Sequence, residues 1–341
     1  MRPTVHDVAE AAGVSLATVD RVLNRRAGVR SQTVAKVEAA IARLGYVRDI
    51  SAANLAKQRI YKLVFIIPDG ANSFMRRLEA EIEKVRLRSA LNRTDIKLLK
   101  VPPFDGAALA RALESIDGAS VSGVALVATE SPLVRDALAR LHDQGVHVVT
   151  LVSDAPAFRR DDYVGIDNVA AGRTAASLMG RFLGGKRGKI ALVAGSMLVR
   201  DHVERRLGFE QVIAGEFPHL ACLPVVEGRD DAATARDALA ACLARQGDVI
   251  GVYSMGAGNR GLVSLLESDP AHAGLTVIAH ELTDHSRRAL RLGLFDAVIN
   301  QDAGHEARSA VRILQARIDG VPVVDGQEAI RIEIYLRDNL P

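Results

Sequence analysis

The sequence predicts an α/β protein: an N-terminal all-α helix-turn-helix head joined to a two-lobed body of doubly wound parallel sheets. Three observations predict it. The first 46 residues hold three short helical patterns separated by capping residues and glycines. From Lys62 onward, apolar β-rich runs alternate with amphipathic helical stretches, the pattern of parallel sheets. The charge is uneven: residues 1–60 hold ten Lys/Arg and five Asp/Glu, whereas the rest hold 34 and 36. A basic head on a nearly neutral body points to a polyanion partner for the head alone.

A chain of 341 residues with 48% hydrophobic composition has room for more than one core. No apolar run approaches the ~18 residues of a membrane span, so no membrane partner is expected. The opening residues lack an apolar stretch followed by a cleavage site, so a cytoplasmic location is expected. Cys222 and Cys242 both lie in apolar segments. Two cysteines cannot build a disulfide framework or a four-cysteine zinc site and are expected to be reduced thiols.

In the head, Thr4 is positioned to cap a first helix, with Asp7 at capping-box spacing. Gly13 supplies a tight turn and Val14 plugs it. Ser15 caps a second helix to about Leu23, with Val19, Val22 and Leu23 inward and Leu16, Ala17, Asp20 and Arg21 outward. Ser31 is read as the cap of a third helix, which Gly45 ends. Such a second helix can enter a major groove N-terminus first.

The stretches "TVHDVAEAAGVSLATVDRVLN" and "VRSQTVAKVEAAIARLGY" resemble the head of the LacI/GalR family of bacterial repressors. The resemblance implies base reading by Leu16, Ala17 and Arg21. Thr4, Ser15, Thr18, Asn24 and Arg30 are expected to position the head on phosphates. Asp20 departs from the serine usual in the family, and is expected to orient Arg21 or Arg25 or to accept from a cytosine amine. Arg48 and Asp49 stand where the family has Pro and Asn. Residues 50–60 are expected to be a hinge helix between a head at 1–49 and a body at 61–341. By resemblance, Leu55 wedges into the minor groove, with Ala52 and Ala53 permitting close approach.

The body resembles periplasmic sugar-binding proteins, which implies a chain crossing between lobes three times, near 166, 300 and 325. Ligand would lie between the lobes at the C-terminal ends of strands. Polar residues at those ends form the candidate effector site: Asn72, Phe74, Thr129, Asp154, Asp167, Arg200, His202, Arg205, Asn259, Glu281 and Gln301. Carboxylates, amides and an arginine fork beside an aromatic face suit a polyol. Val203 stands where many relatives carry an effector-binding arginine, so His202 or Arg205 is expected to substitute.

These features point to a ligand-responsive transcriptional regulator, most often a repressor in this family. It is expected to bind near-palindromic operator DNA as a homodimer and to sense a sugar, sugar acid or cyclitol. A dimer rather than a tetramer is expected because no heptad helix follows Leu340. No cofactor and no metal are expected, because the "HELTDH" histidines His280 and His285 are five apart and do not share a helix face. The alternative is a nicotinamide-dependent oxidoreductase: "GAGNRG" at 256–261 follows a strand, opens a helix and has Glu281 twenty residues on.

Overall fold

The computed structural model describes residues 3–24, 26–46, 60–89 and 93–341. The chain divides into two compact units, Met1–Arg59 and Ile60–Pro341.

The first unit contains α1 (Val5–Ala12), α2 (Leu16–Leu23) and α3 (Ser31–Leu44). Thr4 and Asp7 form a reciprocal capping box, and Gly13 adopts φ 65° after α1. The Ser15 hydroxyl accepts from the Thr18 amide to open α2. Val8, Val19 and Val37 are fully buried and join one residue from each helix in a single small core. One expectation is corrected: Ser31 is the first helical residue of α3, Arg30 is the N-cap, and no side chain caps that end. Arg25, Arg48, Asp49, Ala52, Ala53 and Leu55 lie outside the described residues.

The second unit has one parallel sheet and one that is parallel except for its edge strand. The first contains β1 (Tyr61–Pro68), β2 (Thr94–Val101), β3 (Gly123–Leu126), β4 (His147–Leu151) and β5 (Asp162–Val164), in the order β2-β1-β3-β4-β5. Strand β1, "YKLVFIIP", is buried on both faces because helices cover both sides of the sheet. The second sheet holds β6 (Gly188–Ala194), β7 (Leu220–Cys222), β9 (Val249–Ser254), β10 (Thr276–His280), β11 (Ala297–Asn300) and β12 (Glu333–Tyr335), ordered β12-β11-β10-β9-β6-β7. The stretch "ACLPVV" breaks into β7 and a separate short β8 (Val226–Glu227) that also pairs with β6. Pro224 lies between the pieces, where its missing N–H cannot serve a ladder. The sequence reading missed β12, which pairs antiparallel with β11.

Each sheet reverses strand order next to its first strand. Ligands in doubly wound folds enter at these switch points. The chain leaves the first lobe after β5 and enters helix α7 (Asn168–Leu183) of the second lobe; the earlier helices of the body are α4 (Ser73–Ser89), α5 (Gly106–Glu114) and α6 (Pro132–Asp143). It returns between β11 and α12 (Ala303–Asp319), whose alanines complete the first lobe's core. The third passage falls around Ile330, which packs on the cores of both lobes. Asp325, where that passage was expected, instead starts the short helix α13 (Asp325–Glu328), whose Glu328 is gripped by Arg312 of α12.

Helix α7 crosses α8 (Arg200–Glu216) with backbones in contact, because glycine stands on both sides of the crossing. A Cβ on Gly172 would sit 2.0 Å from the Arg205 carbonyl oxygen, and one on Gly208 would sit 2.1 Å from that of Val169. The close approach seats Arg205 where its side chain reaches the cleft. Gly208→Ala is expected to destabilise the body by about 2–3 kcal/mol, because backbone must move to accept the methyl. A urea-unfolding midpoint unchanged from that of the parent chain would contradict this packing.

Candidate functional site

In the head, the residues expected to read bases share one exposed face. Leu16, Ala17 and Arg21 are all exposed on α2. No described contact joins Asp20 to Arg21, and Arg25 lies outside the described residues. The Asp20 carboxylate accepts from the Asn24 amide at 2.7 Å and lies 3.4 Å from Arg26. Asn24 also donates to the Asp20 carbonyl at 2.7 Å, so its amide closes the end of α2. The hydroxyls of Thr4, Ser15 and Thr18 likewise serve helix starts, with Ser15 and Thr18 hydrogen-bonded at 2.9 Å. Arg30 is exposed at the start of α3. The α2 N-terminus combines free amides with a favourable dipole for phosphate.

In the body, a cavity of about 550 Å³ of empty space lies between the lobes. Pro68, Asn72 and Phe74 approach it from the end of β1, Val127 and Thr129 from β3, and Val152 and Ser153 from β4. The second lobe supplies Asp201, His202 and Arg205 from the start of α8, Asp230 from the loop after β8, Gly256 and Ala257 after β9, and Glu281 after β10. An adjoining recess of about 420 Å³ is lined by Asn72, Phe74, Asp230, Asn259 and Glu281 among others.

Backbone strain concentrates here. Seven described residues other than glycine have positive φ, and Phe104, Val152, Asp230, Ala257 and Glu281 line the cavity. A β-branched valine at φ 60° is held there only by its surroundings. Such conformations cluster at binding sites because they aim side chains that regular strands would direct elsewhere.

Arg205 organises the second lobe's wall. It is 1% exposed. Its Nε donates to Asn168 Oδ1 at 2.8 Å, Nη1 to the Met255 carbonyl at 2.6 Å, and Nη2 to Glu281 Oε1 at 3.4 Å. Gln301 donates to the same Glu281 oxygen at 2.9 Å. Burial pushes the Glu281 carboxyl up to about 7 from an ordinary 4.5. Desolvation outweighs the Arg205 field because the contact is long and the other two arginine bonds go to neutral acceptors.

Among the described residues, Asn168 Nδ2 donates to Tyr163 Oη at 3.1 Å at the first passage, and three further side-chain bonds cross between the lobes. Asn72 donates to Asp230 Oδ2 at 3.0 Å while its own oxygen accepts from the Phe74 and Met75 amides, capping α4. Arg200 meets Glu130 at 3.1 Å, and Arg77 donates to the Leu282 carbonyl at 2.9 Å. The cleft is therefore closed.

The expected effector residues sort into three groups. Asn72, Phe74, Thr129, His202, Arg205 and Glu281 meet at the main cavity. Asn259 reaches only the recess, and its amide is occupied: it donates to the His280 carbonyl and accepts from Ser254. The remaining four stand outside both linings. Asp154 is held by a bidentate Arg160, and Asp167 caps α7. Arg200 bridges at the rim, while Gln301 braces Glu281 from behind. Sequence reading missed Asp201 and Asp230. Asp201 lies inside a helix, and Asp230 follows a strand hidden by the interruption at Pro224.

The "GAGNRG" glycines have packing roles. Gly258 takes φ 82° ahead of α10 (Asn259–Ser268), and a Cβ on Gly261 would lie 2.1 Å from the Ala232 carbonyl oxygen of helix α9 (Ala232–Arg245). Glu281 faces the interlobe cavity, with its Oε1 held by Arg205 and Gln301. Among the described residues, no group of three or more His, Cys, Asp or Glu is placed to hold a metal, and no helix is long and apolar enough to cross a membrane.

Fold and sites together define a class: a helix-turn-helix head in one chain with a two-lobed domain of the ligand-binding type. Residues 63–321 match the family described as a periplasmic binding protein domain, and residues 4–49 match bacterial regulatory proteins of the lacI family. The chain belongs to the periplasmic binding protein domain family, and it carries a head that matches bacterial regulatory proteins of the lacI family. It is 27% identical over 226 residues to the HTH-type transcriptional regulator DegA of Bacillus subtilis (strain 168), covering 62% of this chain and 61% of that protein. It is 41% identical over 85 residues to the catabolite control protein A of Priestia megaterium, 25% of this chain and 26% of that one. The matches thus span less than two thirds of these relatives. Among solved structures, the glucose-galactose binding protein GanP of Geobacillus stearothermophilus superposes with TM-score 0.74 at 20% identity, over 83% of this chain and 99% of that one. An ABC transporter solute binding protein from Burkholderia graminis C4D1M, in complex with D-arabinose, gives 0.73 at 22% identity, over 82% and 96%. At these identities the likeness is one of fold.

The raised Glu281 carboxyl has a signed consequence. The folded state holds this proton more tightly than the unfolded chain, so between pH 4.5 and about 7 stability falls as pH rises. The contribution reaches about 3 kcal/mol at most. Glu281→Gln is expected to flatten that part of the pH dependence of unfolding, measured as urea midpoints at pH 5 and pH 7. Equal slopes in variant and parent would contradict it.

Proposed function

We propose that the protein is a ligand-responsive DNA-binding transcriptional regulator, acting in the cytoplasm as a repressor. Two chains pair through their bodies, and two heads bind a near-palindromic operator. A small hydroxylated effector occupies the interlobe cleft. Its differential affinity for the open and closed body is what changes the affinity of the heads for DNA. The match of the head to lacI-family regulatory proteins supports this reading, and one observation carries it. The α2 face bearing Leu16, Ala17 and Arg21 is exposed above a closed apolar core, in a chain whose other unit encloses a strained, polar cleft. Arg21 is the residue able to make a bidentate contact with guanine, and Leu16 and Ala17 suit thymine methyls. In this reading Asn24 and Asp20 shape the end of α2, and Arg26 and Arg30 lie near phosphates.

The hinge role of residues 50–60, with Leu55 and Ala53 in the minor groove, is part of the same proposal. The cleft residues proposed to touch effector are Asn72, Phe74, Thr129, His202, Arg205 and Glu281, joined by Asp201, Asp230 and Ser153.

Two measurements test the reading by fluorescence anisotropy on promoter DNA from the protein's own locus. Deleting residues 1–60 is expected to abolish binding. Arg21→Ala is expected to cost ~10–100-fold in preference for the operator over scrambled DNA, with the salt dependence of non-specific binding little changed. Unaltered preference in the Arg21 variant, or binding by the deleted chain, would overturn the assignment.

A further inference from the structure

The cleft wall carries more acceptors than the protein itself satisfies. Asp201 Oδ1, Glu281 Oε2 and Ser153 Oγ are buried with no hydrogen-bond partner, on residues 7%, 6% and 2% exposed. Asp230 Oδ1 is buried and unpartnered too, while its Oδ2 accepts from Asn72. All four residues line the same cavity. Buried polar atoms without partners are rare in native structures and call for an occupant.

The charges are unbalanced as well. Three carboxyl groups face the cavity, Asp201, Asp230 and the partly protonated Glu281, and Arg205 is the one guanidinium among its described lining residues. Three of its five N–H groups are directed at Asn168, Met255 and Glu281. The only other basic side chain in that lining is His202, whose Nδ1 lies 2.8 Å from the Ser196 carbonyl and whose Nε2 lies 3.8 Å from Asp201. Closing a cleft over excess negative charge desolvates carboxylates without a counter-ion, which is costly. A sugar acid would add like charge and find few free donors. A neutral polyol would fill the acceptors and leave the charge. An ammonium group on a polyol does both, while Phe74, Phe104, Val127 and Val152 offer apolar wall to its C–H groups.

We propose that the effector is a polyhydroxylated amine, such as an amino sugar or amino cyclitol, whose ammonium group is neutralised by the Asp201, Asp230 and Glu281 carboxylates. This inference rests on the reading of the cleft as an effector site, and it removes the sugar acid from the expected ligands.

Calorimetric titration of the full chain at neutral pH tests it with nine probes: D-glucosamine, D-galactosamine and D-mannosamine, the matching neutral hexoses, and the matching uronates. At least one hexosamine is expected to bind about tenfold or more tighter than its neutral hexose, the scale of one charge-assisted bond over a neutral one. Uronates are expected not to bind. N-acetylation of the best hexosamine removes its charge without altering the protein, and is expected to abolish the preference. Asp201→Asn is expected to lower hexosamine affinity about tenfold and to change hexose affinity far less; Glu281→Gln serves the same purpose if the first variant does not fold. Hexoses binding as tightly as hexosamines, tighter uronate binding, or indifference to N-acetylation would overturn the proposal and leave the effector cleft standing. Failure of all nine probes to bind would overturn both.

Discussion

The second lobe's wall depends on a single buried guanidinium. Arg205 joins Asn168, just past the first passage between lobes, to the Met255 carbonyl after β9 and to Glu281 after β10. Gln301, at the second passage, completes the chain by bonding Glu281. Two of the three connections between lobes therefore report to one side chain. A guanidinium can do this because its planar fork holds several acceptors at once. Breaking a buried ionic network of this kind costs about 3–5 kcal/mol, since it strands the partner charge. The network also explains the glycines at the α7–α8 crossing: without their close approach Arg205 would stand too far from Asn168.

The same constraint shapes the cleft chemistry. Three of Arg205's five N–H groups are held by protein acceptors, and the cavity surface around it presents three carboxyl groups and the Ser153 hydroxyl. The positive-φ residues around it aim these groups at the space between lobes. Closure is held by few bonds, of which Asn72 to Asp230 and Arg200 to Glu130 lie across the mouth. Exposed ion pairs such as the latter are weak, about 0–1 kcal/mol. A body latched this lightly can exchange between open and closed forms under the pull of one small ligand.

Much of this was legible in the sequence, and unevenly so. The head was readable because its signals are local: the Thr4–Asp7 box, Gly13 and Ser15 each act within three residues. Ser31 misled because the α3 N-cap is Arg30, a residue type with no capping preference. The apolar runs of the body correspond to strands, but β12 lies in the alternating stretch "IRIEIYL" rather than in a continuous apolar run, and Pro224 divides "ACLPVV" into two short strands. In the cleft, polar residues at strand ends were visible, yet sequence does not tell a lining group from a cap. Asp154 and Asp167 have the same chemistry as Asp201 and Asp230. Only the fold shows that the first pair is bonded locally and the second faces the cavity. Strain at Val152 and Glu281 left no trace in sequence, since neither residue type favours positive φ.

The account turns on coupling between the Arg205-centred cleft and the head. The most direct measurement is the affinity of the full chain for its promoter DNA, by anisotropy, with and without a saturating cleft ligand identified by calorimetry. The account predicts that the ligand changes DNA affinity by about 5–150-fold, and that DNA changes ligand affinity by the same factor. Ligand bound in the cleft with DNA affinity unmoved would contradict it.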